Sequence, residues 1–211
     1  MIGAGKVGEK RKKDGGFSLL EIVTVIIIIG IISGLLVYSW GLHKKAIRTS
    51  KTLLQFSRYE KAIKAYCKEY GDWPSFFADE ELICLSDGKA SEDFIKILSG
   101  KNPDGKELSD EEKESFNPQG RSFHTFSSDE FYLKDDGTRD YTKLSDAFNN
   151  KDIYIIVENP FDDDVIISKE KFPKVIQERI NGDGIKTQIA IFSITEDGAN
   201  TIVSNFTDKM W

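Results

Sequence analysis

Glu21 is the first residue whose position demands a chemical explanation. It interrupts the run Phe17–Leu36 (FSLLEIVTVIIIIGIISGLL), and the nineteen residues from Ile22 to Trp40 carry no charge. An unpaired carboxylate in such surroundings is expensive, so it is functional by default. A partner cation would arise by cutting the chain. Gly15-Gly16 precede Phe17, and a break between Gly16 and Phe17 creates an α-amine on Phe17, close to Glu21. That amine can neutralise the carboxylate within the chain or on a neighbouring copy.

The other reactive side chains are sparse. Cys67 and Cys84 are the two cysteines. In an oxidising compartment they would close a loop of about seventeen residues, worth ~3 kcal/mol in the chain-entropy model. Two buried free thiols is the equal alternative. His43 follows the apolar run, and His124 lies in an expected strand among aromatic residues, where a lone histidine reads as structural. No nucleophile pattern, phosphate-binding glycine loop or zinc spacing is present. The chain is therefore expected not to be an enzyme.

The element that must position Glu21 is a helix. Nineteen residues at ~1.5 Å each span about 28 Å, one hydrocarbon core. A secretory signal would have a shorter apolar core with small residues after it, whereas here the small pair comes first. Beyond Trp40 an amphipathic stripe continues through Leu42, Ala46, Thr49, Leu53, Phe56, Ile63, Cys67 and Tyr70, with Glu60 out of place. Gly71-Asp72-Trp73-Pro74 is the stop. After it come a short helix at Glu92–Leu98, a loop at Lys101–Glu114, and strands at Arg121–Phe126, Ile153–Val157, Val165–Ile167 and Gln188–Ile194. Thr201–Ser204 is a weaker strand. Trp73, Phe76, Phe77, Phe131 and Tyr132 read as a satellite core under the loops.

The leader Met1–Gly16 holds five basic residues against Glu9 and Asp14, so the rest of the chain is more acidic than the net charge of −6. An acidic exported domain argues against nucleic-acid binding. Lys44, Lys45, Arg48 and Lys51 follow the apolar run almost as densely as the leader precedes it, so charge alone does not orient the helix.

Lys13-Asp14-Gly15-Gly16-Phe17-Ser18-Leu19-Leu20-Glu21 resembles the class III signal of type IV pilins and type II secretion pseudopilins. The resemblance implies cleavage between Gly16 and Phe17 by a prepilin peptidase, methylation of Phe17, and pairing of Glu21 with the terminal amine of an adjacent subunit. It also implies a long helix, half membrane-spanning and half amphipathic, packed on a small antiparallel β-sheet domain, an α+β fold. The divisions expected are a leader at 1–16, a transmembrane and assembly helix at 17–42, its amphipathic continuation at 43–71 and a globular domain at 72–211. The proline that pilins often carry near Tyr38 is absent. Gly30, Ser33 and Gly34 would allow close helix approach.

The tail Ile191–Gly198, ending with Trp211, is similar to the C-terminal strand and loop of major type II pseudopilins. In that family a Ser-x-Gly-x-Asp-Gly loop binds calcium. Thr195 stands where the glycine is expected, and Asn159-Pro160-Phe161 only approximates the family's Asp-Pro-Trp turn. Calcium takes six to eight oxygens. Asp197 and then Asp208 are the candidate ligands, with Asp162-Asp163-Asp164 and Asn181/Asp183 as other acidic turns.

The resemblance implies a structural subunit that polymerises with itself and with other pseudopilins into a periplasmic pseudopilus, driven by an inner-membrane platform and an ATPase. It would sit in a bacterial inner membrane as a single-pass protein with its C-terminal domain in the periplasm. A type IV pilin of a surface pilus is the alternative within the family. A permanently anchored periplasmic binding or sensor domain is the alternative outside it.

Overall fold

A computed structural model of the chain describes residues 18–77, 82–158, 162, 164–195 and 201–206, with the backbone only at 35–42, 195, 201 and 202. In chain order the elements are α1 (Leu19–Tyr70), a 3-10 turn (Ser75–Phe77), β1 (Ile83–Cys84), α2 (Gly88–Ser99) and α3 (Asp110–Phe116). A second 3-10 turn (Ser128–Glu130) leads into β2 (Phe131–Leu133), β3 (Arg139–Leu144), β4 (Ile153–Val157) and β5 (Ile166–Ser168). A third 3-10 turn (Lys169–Lys171) precedes α4 (Lys174–Gln177), β6 (Gly184–Lys186), β7 (Ile189–Thr195) and β8 (Thr201–Ser204). The fold is α+β, a long N-terminal helix followed by helices and a four-stranded antiparallel sheet, as expected.

The chain divides into two compact units, Met1–Lys45 and Ala46–Trp211. In the first, the large apolar side chains described from Leu19 to Ile32 are all exposed, between 45% and 83%. Among the described residues no helix is long and apolar enough to cross a membrane. The side chains described in this run end at Gly34, and the sequence continues it with Leu35-Leu36-Val37-Tyr38-Ser39-Trp40 before the next charge at Lys44.

In the second unit the sheet runs β1-β4-β7-β8, and strand alternation sends successive side chains to opposite faces. Ile83, Ile153, Ile155, Ile189, Ile191 and Val203 form one face and pack with Phe56, Tyr59 and Ile63 of α1 and Phe94 and Leu98 of α2. Ile156, Ala190 and Phe192 form the other, under Ile167, Ile185, Phe172, Ile176 and Phe206. The antiparallel β5–β6 pair and α4, which lies between them in the chain, thus cover the face that α1 leaves open. Burial on both faces explains why Ile153–Val157 is a continuous apolar run and not an alternating one.

The expected strands at Ile153–Val157, Val165–Ile167, Gln188–Ile194 and Thr201–Ser204 appear as β4, β5, β7 and β8, within a residue of their predicted ends. Arg121–Phe126 is not a strand. Its backbone turns to cap α2, with the N–H groups of Phe123 and His124 both donating to Leu98 O (2.8 and 2.9 Å). Glu92–Leu98 is part of the longer α2, which starts from an Asp87 cap and ends at Gly100 in the left-handed region. The expected loop at Lys101–Glu114 contains the start of α3, capped by Ser109 and Glu112. The β2–β3 hairpin was not anticipated, because FYL is only three residues long and RDYTKL is mostly polar. Of the expected satellite core, Phe77 and Phe131 join the main core, and Trp73 and Phe76 pack against it.

The buried stripe of α1 is wider than expected and rotated by one position. Thr52, Gln55, Phe56, Tyr59, Ala62, Ile63, Tyr66 and Cys67 are buried, Leu53 is half-buried and Ala46 is exposed. Tyr59 fills the place that Glu60 appeared to break. Glu60 itself lies beside the stripe, between Lys64 Nζ (2.9 Å) and Asn205 Nδ2 (2.8 Å).

The cysteines are not joined: Cys67 is a buried free thiol and Cys84 a half-buried one. The sheet stands between them. Cys67 is on α1, against one face, while Cys84 alternates with Ile83 and points to the other, opposite Tyr154 and 3.1 Å from Ser86 Oγ.

Candidate functional site

The described part of the N-terminal motif begins at Ser18. Its N–H donates to Glu21 Oε2 (2.8 Å), and the Glu21 N–H donates back to Ser18 Oγ (3.3 Å). Ser18 is therefore the N-cap and Glu21 the third helical residue of a reciprocal capping box. The arrangement puts negative charge where the helix N-terminus is positive. Among the motif residues Ser18 had no assigned role, although Ser-x-x-Glu before an apolar run is a readable signal. Gly16 and Phe17 lie outside the described residues.

From this cap the helix presents apolar surface in every direction. Thr24 Oγ1 is satisfied internally by Leu20 O (2.8 Å). A Cβ added at Gly30 or Gly34 would meet nothing within 4 Å, so the chain's own packing does not require glycine at either place. Uncovered apolar surface of this extent is stable only against lipid or against other apolar helices.

The calcium candidates Asp197 and Asp208 lie outside the described residues, as do Asp163, Asn159-Pro160-Phe161 and Trp211. Among the described residues no group of three or more His, Cys, Asp or Glu could hold a metal ion. Asp164 is paired with Lys186 Nζ (2.5 Å), and Asp162 Oδ1 accepts from the Asp164 N–H (2.9 Å).

The domain contains a second cluster of titratable groups that the sequence did not single out. His124 Nε2 is 2.9 Å from Glu130 Oε2, with both side chains buried. Glu130 Oε1 also accepts from the Ser127 N–H (3.1 Å) and hydroxyl (2.9 Å), another Ser-x-x-Glu box. Tyr59 meets the His124 ring edge-on at 5.2 Å, and its hydroxyl accepts from Gln55 Nε2 (2.8 Å). Burial drives the Glu130 carboxyl upward, but His124, the Ser127 N–H and the Tyr59 hydroxyl more than offset it and hold the group below the usual glutamate range. Burial and the nearby Glu130 charge push the Tyr59 phenol well above its ordinary value. His43 is an exposed residue on α1.

A third buried group is Asp146. It accepts from Ser193 Oγ (2.7 Å) and from the N–H groups of Phe148 (2.8 Å) and Asn150 (3.0 Å). Burial nevertheless keeps its carboxyl above the usual aspartate range.

No curated protein and no solved structure matches the chain. Residues 11–37 match the prokaryotic N-terminal methylation motif. That stretch includes Gly16, Phe17, the Ser18–Glu21 cap and the apolar helix as far as Val37, and over it the chain carries a type IV pilin-like prepilin signal.

Proposed function

We propose that the chain is a pilin-like structural subunit of a type II secretion pseudopilus. The observation that carries this reading is the coincidence of the methylation motif with a capped helix whose apolar surface is uncovered all round. The leader stays in the cytoplasm, a prepilin peptidase cuts after Gly16, and Phe17 is methylated. The Phe17–Trp40 helix anchors the subunit in the inner membrane and later passes into a filament of many such helices, with residues 72–211 in the periplasm. There the Glu21 carboxylate neutralises the Phe17 amine of a neighbour and sets subunit register. The subunit is a substrate of the peptidase and not an enzyme. Its other partners are further pseudopilins, the membrane platform and its ATPase.

The C-terminal loop of the family suggests the secretion pseudopilus over a surface pilus. The test is co-precipitation of two differently tagged copies, expressed with a prepilin peptidase and the secretion machine, together with export of its cargo. Recovery of one copy with the other, loss of that recovery in Glu21→Ala, and loss of export when the subunit is deleted are expected. Unchanged recovery in Glu21→Ala would contradict assembly through this site. Intact export with loss of surface fibres would assign the subunit to a pilus.

A further inference from the structure

Charge is segregated in this chain. Residues 46–70, the part of α1 in the second unit, hold six Lys and Arg against Glu60 and Glu69, whereas residues 71–211 hold sixteen against thirty Asp and Glu. Both glutamates are engaged, Glu60 with Lys64 (2.9 Å) and Glu69 with Arg121 (2.6 Å). Four of the other cations are aligned. Lys51, Arg58, Lys61 and Lys68 fall with Ile47 and Leu54 on one line of the helix, three, four or seven residues apart, and all six are exposed.

This line points away from the core, opposite Gln55, Phe56, Tyr59 and Ile63, which α1 buries. Arg58, Lys61 and Lys68 make no ion pair among the described residues. A merely solvated helix face typically mixes both signs of charge. Here one sign runs the length of the line, and Ile47 and Leu54 stand on it 57% and 53% exposed.

The complementary surface is α3. Asp110, Glu111 and Glu114 are exposed, make no ion pair among the described residues and share one side of that helix. Glu112, on the other side, is taken up by Lys96 (2.9 Å) and the Ser109 N–H (3.0 Å). Within one copy the two surfaces do not meet. The Phe116 carbonyl at the end of α3 accepts from the Tyr66 hydroxyl (3.0 Å) on the buried side of α1, and the basic line is on the far side.

We propose that the basic line of α1 docks against the carboxylate side of α3 in a second copy of this chain. Seven residues of α3 cover about 10 Å, so Arg58 and Lys61, at the middle of the line, pair with Glu111 and Glu114, which are also three apart. Two different surfaces meet, and such a contact can repeat from copy to copy without closing. This docking rests on the assembly reading above and adds to it a contact between domains.

The test is co-precipitation of differently tagged full-length copies from detergent-solubilised membranes, expressed with a prepilin peptidase and the secretion machine. One variant carries Arg58→Glu and Lys61→Glu, the other Glu111→Lys and Glu114→Lys. All four side chains are exposed, so neither variant is expected to unfold the domain. Recovery of either variant with itself is expected to fall about tenfold or more, because like charges then face each other. Recovery of one variant with the other is expected to return to the wild-type level, an outcome that misfolding does not produce. Unchanged recovery of either variant with itself, or no gain on mixing the two, would overturn the proposal; a basic face that serves anionic lipid gives the second result. Wild-type copies that fail to associate would end the assembly reading and this contact together. Association lost in Glu21→Ala but kept in both charge variants would end this contact alone.

Discussion

Ser18 and Glu21 are joined by two reciprocal hydrogen bonds across the first turn of α1, at 2.8 and 3.3 Å. Glu21 therefore has a partner within its own chain before any neighbour arrives. The cap and the proposed ion pair can be separated by substitution. Glu21→Gln keeps an oxygen for the Ser18 N–H but removes the charge, whereas Ser18→Ala removes only the acceptor for the Glu21 N–H. Ser18→Ala is expected to loosen the helix start by about 1 kcal/mol and to leave copy-to-copy association intact. Glu21→Gln is expected to abolish association while hydrogen exchange at the first turn stays slow. Equal association of Glu21→Gln and wild type would reduce Glu21 to a capping residue.

Glu130 and Asp146 give the domain opposite responses to pH. Glu130 is held below its ordinary value, so its contribution is complete above the usual glutamate range and is lost as pH falls through the folded value. Asp146 is held above its ordinary value, so the folded state keeps its proton better than the unfolded chain. Stability then declines as pH rises from the usual aspartate value through the raised one. In denaturant melts, Glu130→Gln is expected to be about 2–3 kcal/mol less stable than wild type at pH 7, with the gap closing toward acid. Asp146→Asn is expected to gain on wild type between pH 3 and pH 7. Parallel curves for either variant would contradict the assignment.

Two glycines with positive φ differ in what surrounds them. Gly100 ends α2 at φ 68°, and an added Cβ would lie 2.5 Å from Gly120 O and 2.9 Å from Arg121 O. Gly71 follows α1 at φ 81° with nothing within 4 Å. Gly71→Ala carries only the left-handed penalty, about 1 kcal/mol. Gly100→Ala adds a backbone clash and is expected to cost about 3 kcal/mol or more. Similar melting midpoints for the two variants would rule out the close approach of the 120–121 backbone to α2.

The free cysteines predict indifference to reductant. Dithiothreitol is expected to leave the denaturation midpoint unchanged, whereas a closed loop would lose ~3 kcal/mol. A thiol reagent is expected to label half-buried Cys84 before Cys67, which is buried and whose thiol burial pushes upward.

How much of the fold was legible follows from how local each signal is. Tyr70-Gly71 marks the end of α1 because a glycine stop is written in adjacent residues. The strands β4 and β7 are visible because IYIIV and IAIFSI are long β-branched runs. Arg121–Phe126 has a strand's alternation but spends its N–H groups on the end of α2, a choice fixed by residues over twenty positions away. The His124–Glu130 contact is hidden for a similar reason. Its local half, Ser127-x-x-Glu130, is a readable box, but the burial that gives the pair its meaning comes from Tyr59 on α1. For the N-terminal motif, the isolated carboxylate at Glu21 was legible from spacing, while the capping by Ser18 required the helix start to be seen at Leu19.

The central claim is that this chain is processed as a prepilin. The N-terminal residue and intact mass of the mature protein, purified from membranes of cells carrying a prepilin peptidase, test it most directly. A chain beginning at Phe17, heavier than the unmodified fragment by the net CH2 of one N-methylation, is expected. A chain that still begins at Met1 in the presence of active peptidase would contradict it, leaving the Gly16–Phe17 junction uncut and Glu21 without the amine it is proposed to meet.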